Sequence, residues 1–212
     1  MSRSTYAGAL NRALQPLGFE RQGDDWVRVQ GEIWHCVNRQ SSWLGGVTVN
    51  LHTKDVQTEK LFLEIFGPRG AIQMPPPCWT RIGALIGPLD RWWTKDESNG
   101  PQDMAEAVLV YGLPWFGLVA SLEDELEAWY PSATAILGFS EPGLRPALIG
   151  LALTLHRLGR HDDACKVVSR RPRRRTPEAV IADCARVRDW LGCGSRNRAA
   201  APLQSPPGDD GA

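Results

Sequence analysis

Residues Gly18–Leu51, GFERQGDDWVRVQGEIWHCVNRQSSWLGGVTVNL, decide the fold. Three runs rich in β-branched and aromatic residues, Trp26–Gln30, Ile33–Gln40 and Val47–Thr53, are separated by the turn-forming pieces QGE and SSWLGG. Such runs, joined by Gly-bearing turns, predict a three-strand antiparallel meander. Side chains along a strand alternate between faces, so placing Asn38 opposite Asn50 sorts the two longer strands. Cys36, Asn38, Gln40, Thr48, Asn50 and His52 then share one face. Val37, Val47, Val49 and Leu51 share the other, which becomes the core side. A slip of one residue would destroy this grouping.

Working outward, Tyr6, Leu10, Leu14 and Leu17 recur at helical spacing. Thr5 suits the N-cap, Pro16 disrupts the last turn, and Gly18 stops the helix. After the meander, Lys60–Phe66 (KLFLEIF) is short and apolar and reads equally as a strand or a helical turn. The stretch from Gly67 to Trp79 reads as a loop, its Pro75–Pro77 run favouring an extended path. TRIGALIGPLDRWWTK, residues 80–95, adds one or two short strands or turns. Pro101–Tyr111 predicts a helix with Pro101 in its first turn, broken by GLPWF at Gly112 and Pro114. Ser121 N-caps a helix over Ser121–Tyr130, with Glu123 in its acidic first turn.

The texture changes near Glu141. Arg145–Leu158 and Asp162–Arg170 predict two helices, and Thr176–Leu191 a third with Pro177 at its start and Gly192 as its stop. The remainder is rich in Pro, Gly and Ala and reads as a disordered tail. The expected organisation is therefore an α+β domain over 1–138, with an antiparallel sheet flanked by helices. A helical extension over 139–192 and a tail over 193–212 follow.

The 212 residues carry equal numbers of acidic and basic side chains, 24 each. Residues 1–138 hold 11 basic and 16 acidic groups, and residues 139–212 hold 13 and 8, so the two parts carry −5 and +5. An acidic body with a basic extension fits mutual docking, or an anionic partner for the extension. Five cysteines without a C-x-x-C pair argue against a disulfide framework and against a zinc knuckle. The N-terminus has no secretory h-region, and no run approaches the roughly 18–20 apolar residues of a membrane span. A reduced cytoplasm is the expected location, with no membrane and no cofactor implied. Arginine outnumbers lysine 20 to 4, which fits a GC-rich bacterial genome as well as any function.

Several short motifs resemble a bacterial family known as domain of unknown function number 4304. They are GFERQGDDWVR after the first helix, VNRQSS and VTVNL in successive strands, then CWTRIG, DRWW and the aromatic-proline piece GLPWF. The resemblance covers residues 1–130, about three fifths of the chain. Arg39 stands where an apolar residue is more usual, and His52 where a glycine is. The resemblance implies an α+β domain and brings no activity. Separately, Leu148–Val168 is similar to one tetratricopeptide unit, with Ala152, Gly159 and Ala164 at its small-residue positions.

The leading candidate site is the polar strand face, with Asn38, Gln40 and Asn50 as its centre. Arg81 and the pair Trp92 and Trp93 would rim it, since Arg and Trp are the usual anchors of binding surfaces. Adjacent tryptophans in a strand diverge, so one belongs to the core and one is more exposed. The competing reading makes the amides bond locally and fix the fold. Cys36 with His52 is the one pair that resembles a catalytic dyad, but no third group orients the histidine. The four histidines have no metal-ligand spacing, and there is no phosphate loop or nucleophile elbow. The run SRRPRRRTP places Arg170, Arg171, Arg173, Arg174 and Arg175 together. It would take a polyanion, or dock on the acidic body. The sequence leaves enzymatic activity open and favours a non-enzymatic module that binds another protein, with immunity-like proteins as one form. A small-molecule or enzymatic cleft between sheet and helices is the second reading. Nucleic acid on the arginine run is the third and less favoured.

Overall fold

A computed structural model describes residues 5–67, 78–124, 126, 144–169 and 178–194. Within them lies one five-stranded antiparallel sheet in the order β1-β2-β3-β4-β5. The strands are β1 (Glu20–Gln22), β2 (Asp25–Gln30), β3 (Ile33–Ser41), β4 (Val47–Asp55) and β5 (Cys78–Arg81). The predicted meander is therefore the centre of a longer one. Gly31, at φ +62°, begins the tight turn that pairs Gln30 with Ile33. Only glycine adopts that φ without strain, and the turn fixes the register of everything behind it.

Helix α1 (Tyr6–Leu14) is capped by Thr5, whose hydroxyl accepts the Gly8 N–H at 3.1 Å. It ends in a 3-10 turn containing Pro16, with Gly18 left-handed at φ +81°. The Lys60–Phe66 ambiguity resolves as helix: α2 spans Val56–Phe66, and the buried Asp55 carboxylate caps it at 2.6 Å from the Thr58 N–H. The segment after β5 contributes helix α3 (Ile82–Ile86) and a lone bridge from Trp93 to Val47.

Helix α4 (Gly100–Ala107) does not break at Gly112 and Pro114 as expected. It continues through a π turn, Val108–Gly112, into α5 (Leu113–Gly117). Within the π turn the Leu113 N–H reaches back to the Val108 carbonyl. The wider turn admits Pro114, which has no N–H to give, without ending the helix. Ser121 then opens a helical turn as predicted. Its hydroxyl accepts the Asp124 N–H at 3.1 Å, and the Asp124 carboxylate accepts the Ser121 N–H at 3.0 Å.

α1, α4, the π turn and α5 cover one face of the sheet. Leu10, Leu14, Trp26, Val37, Val49, Leu51, Met104, Val108 and Phe116 are buried between them. Each such side chain contributes about 1.5–3 kcal/mol on leaving water. A second apolar cluster joins α2, through Phe62, to α6 (Leu144–Arg157), α7 (His161–Val168) and α8 (Glu178–Leu191). An ion pair also ties the helical extension to the sheet. Arg157 of α6 binds Asp55 and, at 3.0 Å, Glu32 in the β2–β3 turn. Asp55 is wholly buried, so truncating Arg157 would strand a carboxylate, a loss of about 3–5 kcal/mol for such pairs.

The cysteine expectation needs correction, because Cys165 of α7 and Cys193 beyond α8 form a disulfide. Their 28-residue separation makes no motif; the packing of α7 against α8 brings the sulfurs together. The expected loop over 67–79 needs correction at its end, where Cys78 and Trp79 pair with Thr53 and His52 as the start of β5. Its residues 68–77, the rest of the helix begun at Ser121, the arginine run 170–175 and the tail from 195 lie outside the described residues.

His35 is buried on the core side of β3, its ring stacked on Phe116 at 4.6 Å. Arg28 Nε donates to its Nδ1 at 3.3 Å. Burial, reinforced by the Arg28 charge, lowers its pKa from 6.5 to about 4. Between those two pH values the unfolded chain binds more protons than the folded one. Stability is thus complete above pH 6.5 and falls as pH drops through that window. We expect His35 to account for a loss of about 3 kcal/mol by pH 4. Urea denaturation of wild type and His35→Gln at pH 4 to 7 checks this: the variant should lose that share of the acid dependence. His52 and His156 are shifted in the same direction and should leave a remainder.

Candidate functional site: a polar rank across the sheet

The face opposite the helices carries the predicted amides, and the register aligns them with charged neighbours. Asp25 on β2 pairs with Asn38 on β3, Asn38 with Asn50 on β4, and Asn50 with Arg81 on β5. Four side chains of adjacent strands therefore form one row perpendicular to the strands. Their hydrogen bonds run in one direction. Arg81 Nε donates to Asn50 Oδ1 at 3.3 Å. Asn50 Nδ2 donates to Asn38 Oδ1 at 3.2 Å and to Gln40 Oε1 at 3.0 Å. Asn38 Nδ2 donates to Asp25 Oδ1 at 2.6 Å. The row begins at a cation and ends at an anion, with two amide dipoles aligned between them.

The Arg81 end is closed by a second acid. Arg81 Nη1 lies 2.5 Å from Asp90 Oδ2, which also accepts the Trp92 indole N–H at 2.9 Å. The Arg81 guanidinium sits 5.5 Å from the centroid of the Trp92 ring. Gly46, at the end of the β3–β4 turn, lies against that ring. Thr48 donates from its hydroxyl to the Arg91 carbonyl at 2.8 Å, holding the 90–93 segment to β4.

The structure thus joins Asn38, Gln40, Asn50, Arg81 and Trp92, and separates Trp93 from them. Trp93 is 2% exposed and packs in the sheet–helix core. Asp25 and Asp90, which set the charge at the two ends, escaped the sequence reading. Asp25 was within reach of it: a tight turn at Gly31–Glu32 forces Asp25 opposite Asn38. Asp90 comes from a loop, where no periodicity applies.

In the next rank, Cys36 pairs with His52. Burial raises the Cys36 thiol pKa well above its ordinary value, and the charge of Asp25 and a hydrogen bond to it add to the shift. Burial lowers the His52 pKa, opposed by Asp25. Both groups are therefore neutral near pH 7, and a thiolate–imidazolium pair does not form. The polar groups of this face are engaged in hydrogen bonds and ion pairs with one another. Among the described residues no group of three or more His, Cys, Asp or Glu is placed to hold a metal.

Exposed apolar side chains border the rank. Trp79, two residues before Arg81 and on the same face, is 60% exposed. Leu89, next to Asp90, is 81% exposed, and Trp43 and Leu44 on the β3–β4 turn are 92% and 75% exposed. A cavity of about 460 Å³ opens elsewhere, lined by Asn11, Gln15, Gly18, Phe19, Glu20 and Arg21, and none of the rank residues lines it.

These features define an α+β protein with one helix-covered sheet face and one face ordered by a polar rank. The chain belongs to the family described as Domain of unknown function (DUF4304), whose model matches residues 10–117. That match takes in the whole sheet, every member of the rank and the helices from Leu10 of α1 through α5; α6, α7 and α8 lie beyond it. No curated protein and no solved structure is significantly similar to the chain.

The rank makes a graded prediction. Asn50 is 9% exposed and makes three of the bonds, whereas Gln40 is exposed and accepts one. Asn50→Ala should destabilise the fold by about 1–3 kcal/mol and Gln40→Ala by under about 1 kcal/mol, because the first removes three bonds at a buried position and the second one bond at an exposed position. Chemical denaturation of the two variants measures the difference; equal small losses would mean the bonds are dispensable.

Proposed function

We propose that this chain is a non-enzymatic cytoplasmic protein that binds another protein through the polar sheet face. The observation that carries the reading is Trp79, a large aromatic left 60% exposed beside the Arg81 end of the rank. Exposed tryptophan next to a held arginine, with apolar side chains on the bordering segments, is the composition of a protein-docking centre. Rigidity supports the same reading, since side chains fixed before binding lose little entropy on binding. The neutral Cys36 and His52 argue against cysteine chemistry on that face. An immunity-like role is one form of this function. The α6–α7 hairpin, similar to a tetratricopeptide unit, would offer a second protein contact.

Affinity capture with the tagged chain, at low and at moderate salt, tests the proposal. Wild type should retain one stoichiometric protein at moderate salt, and Trp79→Ala and Arg81→Ala should lose it while remaining folded. Retention of the same protein by both variants would exclude this face. Capture only of polyanions that salt removes would favour the arginine run at 170–175 instead.

A further inference from the structure

The Cys165–Cys193 disulfide is half-buried rather than sealed in the apolar cluster beside it. His161 stands one helical turn before Cys165 on α7, and its Nε2 lies 3.6 Å from Cys165 Sγ. The other ring nitrogen of His161 is 3.5 Å from Nδ1 of His156, on α6. His156 is itself held edge-on against Trp190 of α8, with ring centroids 5.4 Å apart. The imidazole at the sulfur is therefore positioned by all three helices of the extension. A thiol beside an imidazole is activated toward exchange, and accessible disulfides are the reducible ones.

We propose that Cys165–Cys193 is a reversible thiol–disulfide exchange site whose co-substrate is a low-molecular-weight thiol, with His161 serving the Cys165 sulfur. The thiolate of the small thiol attacks Cys193 Sγ, which lies beside the exposed Gly194. The bond between the two protein sulfurs breaks, a mixed disulfide forms on Cys193, and the electron pair leaves on Cys165 Sγ. His161 stabilises that leaving thiolate or protonates it through Nε2. This makes Cys165 the better leaving group and directs attack to Cys193. A second small thiol attacks the mixed disulfide. The products are the small-molecule disulfide and a Cys193 thiolate, so two small thiols supply the two electrons. The oxidised small molecule drives the reverse sequence.

Reduction removes the covalent tie between α7 and the end of α8 without dismantling the extension. Val187 and Leu191 of α8 are buried in the apolar cluster and Trp190 donates to Glu64 of α2 at 3.2 Å, contacts that do not involve the sulfurs. The site therefore changes how firmly the end of α8 is held, not whether the chain folds.

The test equilibrates the full chain in glutathione buffers of graded reduced-to-oxidised ratio, then traps thiols with a maleimide and maps them by mass. The pair should pass from disulfide to dithiol within that range. His161→Gln should slow reduction at neutral pH by about threefold, because one unit in the leaving thiol's pKa carries only partly into the exchange rate. A second comparison removes the disulfide: in Cys193→Ser, iodoacetamide should alkylate Cys165 about threefold faster than in the same variant carrying His161→Gln, the larger thiolate fraction being partly offset by lower nucleophilicity. A pair that stays oxidised in excess reduced glutathione, or stays reduced in excess oxidised glutathione, would overturn the proposal. So would equal rates with and without His161.

Discussion

Strand β3 pairs in unbroken register with β2 on one side and β4 on the other, and most other features of the sheet domain depend on that. The same register sets two opposite ranks. One places Trp26, Val37 and Leu51 side by side beneath the helices. The other places Asp25, Asn38, Asn50 and Arg81 side by side on the far face. A shift of one residue would bury the amides under α1 and α4 and expose the apolar row. Hydrophobic burial chooses the register, and the polar rank then penalises any departure from it, because each half-buried amide would lose its partner.

The rank is also a source of local order. Two amide groups could each point either way, but a carboxylate at one end and a guanidinium at the other favour a single orientation. Charged hydrogen bonds are the stronger kind, so the ends dictate to the middle. Asp90 and Trp92 extend this order into the 90–93 segment, which Thr48 and the Val47–Trp93 bridge also hold to β4. The polar sheet face is consequently ordered at its centre and apolar at its borders. The helical extension is attached through Asp55, Arg157 and the α2 cluster, none of which belongs to the rank.

Much of the fold was legible in the sequence. Period-two alternation and Gly-bearing turns exposed β2, β3 and β4, and the pairing of Asn38 with Asn50 followed from them. Thr5, Gly18, Ser121 and Gly192 marked helix ends through local backbone chemistry alone. The α+β class, with an antiparallel sheet and a C-terminal helical region, was readable for the same reason. Features that depend on partners distant in sequence were not. Lys60–Phe66 is too short for its periodicity to decide, and the Asp55 cap is what makes it helical. GLPWF looks like a break until the π turn beneath it is seen. The Cys165–Cys193 bond, the Arg157–Asp55 pair and the contribution of Asp90 all come from packing, which no local pattern encodes. Of the candidate site, the amides and Arg81 were identifiable, while Trp93 illustrates the limit: a tryptophan beside another gives no sign of which one is buried.

The central claim is that the rank acts as one hydrogen-bonded unit across four strands. A double-mutant cycle between its ends, Asp25→Asn and Arg81→Gln, tests it most directly. These residues are three strand spacings apart, about 14 Å, where substitutions normally add. A coupling of about 1 kcal/mol in unfolding free energy is expected, transmitted through Asn38 and Asn50. Additivity within about 0.3 kcal/mol would contradict it and reduce the rank to independent pairs.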